Sequence, residues 1–182
     1  FNQKTMYSLL KDSLKAGVIS CLVALLFLSP SAAVEKKLPV GAVVAWTGEV
    51  YVYHEGEPQG IRVTRMEGVY LRDIIVTSLK SRAKILMKDD SILSLGENTR
   101  MVVKDYILAE ANDNRVSVFK IFSGKVRTLA GRVFRGSESR FQMETPTAVA
   151  GIKGTDFIVS TSERESEIVT ITGEVIAKNI SP

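Results

Sequence analysis

Few side chains in this 182-residue chain are of a type that does chemistry. It holds one histidine, His54, and one cysteine, Cys21. Zinc and copper sites gather several nitrogen or sulfur ligands, and a single His, with the Cys inside an apolar N-terminal run, supplies no such set. His54 stands between Tyr53 and Glu55 at the rim of Gly56-Glu57-Pro58, a turn signature that predicts an exposed ring. No Gly-x-Ser-x-Gly elbow is present to raise a serine nucleophile. Carboxylates pair at Asp89 and Asp90 and cluster at Glu163, Glu165 and Glu167. Two carboxylates can divide acid and base roles on a glycosidic bond, but these lie in polar turns, where solvation is the ordinary state. The expectation is a protein that is not an enzyme and carries no metal or cofactor.

A denser signal comes from residues that shape the backbone. Thr145-Pro146-Thr147-Ala148-Val149-Ala150-Gly151-Ile152-Lys153-Gly154-Thr155-Asp156-Phe157 sets a proline, two glycines and a small-residue run directly before an apolar stretch. Pro146 fixes one backbone angle, and Gly151 and Gly154 can take the positive φ that bulkier residues resist. The pattern predicts a glycine-bent loop with Lys153 exposed between the two glycines and backbone N–H groups within reach of a partner. Ala150, Gly151, Lys153, Gly154 and Thr155 are the candidate binding residues. The alternative is that both glycines serve backbone geometry alone.

The elements that position these groups begin after an N-terminal segment of different character. Lys11 and Lys15 precede an apolar run from Ala16 to Leu28, followed by Ser29-Pro30-Ser31-Ala32-Ala33. That order is the order of an export signal, and the run falls short of the roughly 20 residues a spanning helix prefers. Ser31 and Ala33 suit a signal-peptidase site, so residues 1–33 are expected to be removed. An uncleaved anchor holding the domain at the inner membrane is the alternative. Val18-Ile19-Ser20-Cys21 has the outline of a lipobox, but Leu22 to Leu28 continue the apolar run past the cysteine that should end it. Without residues 1–33 the chain has no cysteine, which excludes disulfides and thiolate chemistry.

The same cleavage takes away Lys4, Lys11, Lys15 and Asp12, and the formal charge falls from +4 to +2. Nucleic-acid binding rests on a concentrated basic patch rather than a slight excess, so no nucleic-acid partner is expected. Arg127, Arg132, Arg135 and Arg140 cluster near Gly131 and Gly136. They are expected to form a solvated edge that guards against aggregation, or alternatively a patch for an acidic protein, lipid or glycan.

Residues 34–182 suffice for one domain with its own core. Alternation marks Gly48 to Tyr53, Ala83 to Met87, Phe141 to Met143 and Val169 to Ile171 as strands. Turn chemistry recurs at Glu55 to Pro58, Lys88 to Ser91, Gly96 to Asn98, Asn112 to Asn114 and Ser162 to Glu165. Gly48-Glu49-Val50, Gly124-Lys125-Val126 and Gly173-Glu174-Val175 form a weak internal echo in which glycine lets the chain bend before valine returns to the core. The predicted fold is all-β: a single domain of stacked short antiparallel hairpins, between a β-sandwich and a short β-solenoid. Trp46 is expected in the core or as a plug at the end of a layer.

The order of these motifs resembles the FecR-type domain, a periplasmic module named for an iron-citrate signalling regulator. Gly41 to Val44, followed by Gly48-Glu49-Val50, is similar to its opening glycine-led strand. Gly68, Leu71 and Asp73-Ile74-Ile75-Val76-Thr77 resemble its Gly, Leu, Gly-Asp-x-Ile-x-Thr run, with Arg72 where the family usually has Gly. Ala83 to Leu95, ending in Asn98-Thr99, is similar to its paired alternating strands, with Asp90 replacing a common Gly; Asp tolerates a left-handed backbone better than most residues. Thr145 to Phe157 resembles the family signature.

The resemblance implies an exported domain, periplasmic or secreted, that acts as a protein-interaction or sensing module of the envelope, with an envelope protein or glycan as partner. An envelope scaffold or polysaccharide-binding protein, self-associating, is the alternative. Membrane contact is expected only through an uncleaved N-terminal segment. The family's sigma-regulating role is not carried over, because about ten residues separate Met6 from the apolar run, too few for an anti-sigma segment.

Overall fold

The computed structural model describes residues 37–109, 114–131 and 139–180, and for Ala109, Lys153 and Gly154 the backbone alone. The expected export signal with Cys21, the pair Arg132 and Arg135, and the Asn112-Asp113 part of one expected turn lie outside the described residues.

Among the described residues there are twelve strands. They are β1 (Gly41–Thr47), β2 (Val50–Tyr53), β3 (Ile61–Arg62), β4 (Glu67–Val69), β5 (Ile74–Thr77), β6 (Arg82–Met87), β7 (Ile92–Leu95), β8 (Arg100–Ala109), β9 (Asn114–Leu129), β10 (Arg140–Glu144), β11 (Ala148–Thr161) and β12 (Ser166–Asn179). The four alternating stretches fall on β2, β6, β10 and β12. Among the described residues no helix is long and apolar enough to cross a membrane. Hydrogen bonds connect nine strands in the order β3-β2-β5-β8-β9-β7-β6-β1-β4, with β10, β11 and β12 added beside β9.

That order cannot lie flat. β1 and β2 stand six strands apart in it, yet only Gly48 and Glu49 separate them in sequence. At about 4.8 Å per strand a flat sheet would hold them roughly 29 Å apart, whereas the three Cα steps from Thr47 to Val50 span at most about 11 Å. The sheet therefore doubles over into two facing layers. One layer runs β3-β2-β5-β8-β9-β10-β11-β12. The other runs β4-β1-β6-β7-β9-β11-β12. The long strands β9, β11 and β12 bend and serve both layers. All pairings are antiparallel except β9 with β10.

Inward-facing residues of both layers meet in one core. Val52, Ile75, Val103 and Ile121 come from the first layer, Val43, Ile85, Leu93 and Val126 from the second, with Phe119, Phe141 and Phe157 fully enclosed between them. Trp46 is partly buried and packs on this cluster, as expected of a core residue.

The chain passes between layers at a column of stacked corners: β1 to β2 at Gly48, β5 to β6 at Ser78 to Ser81, β7 to β8 at Gly96 to Thr99, and the bend of β9 at Gly124. Successive corners bond to one another. The Ser78 N–H donates to Glu49 O (3.0 Å), the Asn98 N–H to Ser78 O (3.2 Å), and the Gly96 N–H to Lys125 O (2.8 Å).

The Gly-x-Val echo is a backbone device of this architecture. Gly48, Gly124 and Gly173 have φ of 76°, 95° and 91°, the left-handed region that glycine enters without steric cost. At the first two, a hydroxyl from the neighbouring corner occupies the space of the missing Cβ, Ser81 Oγ beside Gly48 and Thr99 Oγ1 beside Gly124. Each hydroxyl accepts the next backbone N–H, from Glu49 at 2.9 Å and Lys125 at 3.1 Å. Arg72 and Asp90, standing where glycine was expected, keep the glycine conformation, with φ of 68° and 63°.

Candidate functional site

The structure corrects the predicted binding loop. Ala150, Gly151, Lys153, Gly154 and Thr155 do not form a loop but lie within the continuous strand β11. Ala150 and Gly151 are paired on both edges, to Met143 and Gln142 of β10 and to Ala177 and Ile176 of β12. Their backbone groups are thus committed to a sheet interior, and Gly151 does not take a positive φ. The sharp turn sits earlier, at Thr145 to Ala148, where Thr145 Oγ1 accepts the Ala148 N–H (2.9 Å). Thr155 is buried with Oγ1 unpartnered, and the side chain of Lys153 lies outside the described residues.

His54 also departs from expectation. Its side chain is 19% exposed, its Nδ1 lies 2.8 Å from Asp73 Oδ2, and its ring meets Tyr70 edge-on at 5.3 Å. Asp73 is buried and accepts the Tyr70 N–H (2.8 Å) through the same oxygen. Burial pushes its carboxyl above the ordinary value, against the opposing pull of the Tyr70 N–H and His54. Among the described residues no group of three His, Cys, Asp or Glu side chains is placed to hold a metal ion.

Of the arginine cluster, the described members Arg127 and Arg140 each pair with a carboxylate. Arg127 grips Asp156 with two bonds of 3.0 and 2.7 Å, and this hydrogen bond, with charge attraction, holds the Asp156 carboxyl below its usual range. Arg140 reaches Asp105 on another strand at 3.5 Å.

What the fold does assemble is an open groove of about 1110 Å³ where the second layer meets the corner column. Register places Thr47 beside Arg82, Gly96 beside Lys125, Lys125 beside Ser160, and Ser160 beside Glu167. The groove floor is therefore one cross-strand row, drawn from β1, β6, β9, β11 and β12. Arg82, Lys125 and Lys80 outnumber Glu97 in its middle, and Glu165 and Glu167 make the far end anionic. Among the described residues, none that lines it is aromatic. At that far end four hydroxyls interlock: Ser166 Oγ lies 2.7 Å from Thr145 Oγ1, 2.7 Å from Thr147 Oγ1 and 2.9 Å from Thr161 Oγ1. These bonds fix the turn that carries Glu165 and the start of β12, which carries Glu167. Sequence reading missed the row because its members are remote in the chain and meet only through strand register.

A family model described as FecR protein matches residues 73–176, from the buried Asp73 to the last strand. Two crystal structures of a candidate anti-sigma factor from Parabacteroides distasonis ATCC 8503 are similar, with TM-scores of 0.39 and 0.37 and 15% and 16% identity. Each match covers 58% of this chain and 59% of that one, and at such scores the likeness carries no argument. Comparison with curated proteins gives no match.

Proposed function

Because the chain belongs to the FecR protein family, we propose that its β-domain is an exported, non-catalytic module of the envelope that binds a protein, and that it works through this binding as an interaction or sensing element. The observation that carries the reading is the corner groove. Its row of Arg82, Gly96, Lys125, Ser160 and Glu167 crosses neighbouring strands at about 4.8 Å per step, a track along which an extended peptide laid across the strands would pass each of these residues. A segment with an acidic group over Arg82 and Lys125 and a basic group near Glu165 and Glu167 would meet charge of the opposite sign at both places, which favours encounter and register more than raw affinity.

A glycan is the weaker occupant, because the described lining residues offer no aromatic ring for a sugar face to stack on. The partner is therefore expected to be an envelope protein. The test is a photo-crosslinking residue at position 125 in cells, with and without Arg82→Glu and with a control probe at Arg62 on the opposite end of the stack. Reproducible capture of one identified envelope protein, lost with Arg82→Glu and absent from the control, supports the reading. Capture of cell-wall glycan, or equal capture at both probes, overturns it.

A further inference from the structure

The two ends of the strand stack are built differently. One ends in β3 and β4, strands of two and three residues. Such short edges are a common guard against pairing with another chain. The other ends in β12, fourteen residues long, containing no proline and a single lysine, and among the described strands bonded only to β11. Val169, Ile171 and Ile176 on it are 44%, 49% and 56% exposed. A long unguarded edge of this kind is a template for a further strand.

The bend in β12 decides which strand fits. Its N-terminal arm, Ser166 to Thr172, pairs with the second-layer part of β11, and its C-terminal arm, Glu174 to Asn179, with the first-layer part. Pairing is irregular at Asp156 and resumes the same register beyond it, and Gly173 turns the corner with φ of 91°. A partner strand can pair with both arms only if it bends at the same place. A second β12, turned about a two-fold axis through the bend between Thr172 and Gly173, meets that condition. Each arm then faces the other arm of its copy, antiparallel.

The bend alone sets that register, and the side chains agree with it. Glu167, Val169 and Ile171 point outward on the first arm and Glu174, Ile176 and Lys178 on the second, since Ile168 and Val175 face the core. The two-fold places Glu167 opposite Lys178, Val169 opposite Ile176, and Ile171 opposite Glu174. On the inner face Ile168 falls opposite Ala177 and Thr170 opposite Val175, which continues the core across the junction. Among the described residues neither Glu167 nor Lys178 makes an ion pair within one copy. Core-facing residues are even-numbered on the first arm (Ile168) and odd-numbered on the second (Val175), and this change of parity at the corner is what lets outward residues meet outward residues.

We propose that two copies of this chain associate end to end through β12, forming a two-fold dimer in which both layers run continuously from one copy into the other. This inference goes beyond the proposed binding function and does not depend on it. The test is the mass of the purified protein by sedimentation over a range of concentrations. A dimer is expected. Lys178→Glu and Glu167→Lys, each alone, put like charges opposite one another twice per dimer and weaken it by about tenfold. The two together exchange the signs and restore it. As a second reading, Thr172→Cys in a Cys21→Ser background cross-links two copies under mild oxidation, whereas Glu49→Cys does not. A protein monomeric at every concentration, a dimer indifferent to the single reversals, or no rescue by the double exchange would each overturn the proposal, with circular dichroism confirming that every variant is folded.

Discussion

Thr99 Oγ1 occupies the space that a Cβ on residue 124 would need, so Gly124 and Thr99 are a single unit of structure. The hydroxyl accepts the Lys125 N–H and donates to Lys125 O at 3.2 Å, which ties the bend of β9 to the corner between β7 and β8. Gly124→Ala is therefore expected to destabilise on two counts. A left-handed backbone costs an L-residue on the order of 1–2 kcal/mol, and the new Cβ would also meet the Asn98 carbonyl oxygen at 2.8 Å. Thr99→Val should cost about 1–3 kcal/mol by leaving the Lys125 N–H unpaired. Urea unfolding of both variants measures this, and unchanged midpoints would remove the glycine–hydroxyl corner as a stabilising unit.

Arg72 and Asp90 predict the opposite sign. Both hold a left-handed φ without being glycine, and Asp tolerates that region better than Arg. Arg72→Gly is expected to raise the unfolding midpoint, although it loses the 2.7 Å bond to Glu55, while Asp90→Gly changes it little. The Arg72 variant carries a second readout. Arg72 is the first cause holding the Glu55 carboxyl below its ordinary value, so NMR titration should show that carboxyl moving back up.

The family-like positions show what was legible in the chain. Alternation gave the strands, and glycine at 48, 124 and 173 marked the bends, because those signals are local and set by backbone sterics. Ala150 to Thr155 misled for a physical reason: Gly151 and Gly154 permit a bend, but pairing to β10 on one edge and β12 on the other holds Gly151 extended. His54 misled because its neighbours in sequence are a turn, whereas its environment is Asp73 and Tyr70. The groove row could not be read at all, since Arg82, Lys125 and Glu167 share a surface only once register is known.

Asp73 sets a pH dependence whose sign distinguishes it from the other perturbed carboxylates. Burial raises its value in the folded state, so its contribution to stability is fully present below the unfolded value of 3.8 and is lost as pH rises through the folded one. Asp156 and Glu55 have lowered values, and their contributions run the other way, lost as pH falls. Asp73→Asn removes only the first effect. Unfolding midpoints taken from about pH 3 to 7 should show the wild type gaining on Asp73→Asn as the solution is acidified. A constant difference would mean that the Asp73 carboxyl titrates alike in both states.

The end of the layers opposite the corner column is closed by a buried polar cluster rather than by packing alone. The Asp89 N–H donates to Tyr106 Oη at 2.7 Å, Ser117 Oγ donates to Asp89 Oδ2 at 2.7 Å, and the Ser91 N–H to Asp89 Oδ1 at 3.0 Å. Tyr106 belongs to β8 of the first layer and Asp89 to the β6–β7 turn of the second, so the bond joins the two layers. Burial and the Asp89 charge push the phenol well above its ordinary value, keeping it a neutral hydroxyl. Tyr106→Phe keeps the ring and removes the acceptor, which strands a buried N–H at a cost of about 1–3 kcal/mol. Hydrogen exchange should show the loss locally, with the Asp89 amide released from protection while amides at the Gly48 and Gly124 corners stay protected. Uniform loss across the domain would mean instead that Tyr106 holds the whole core together and not this end of it.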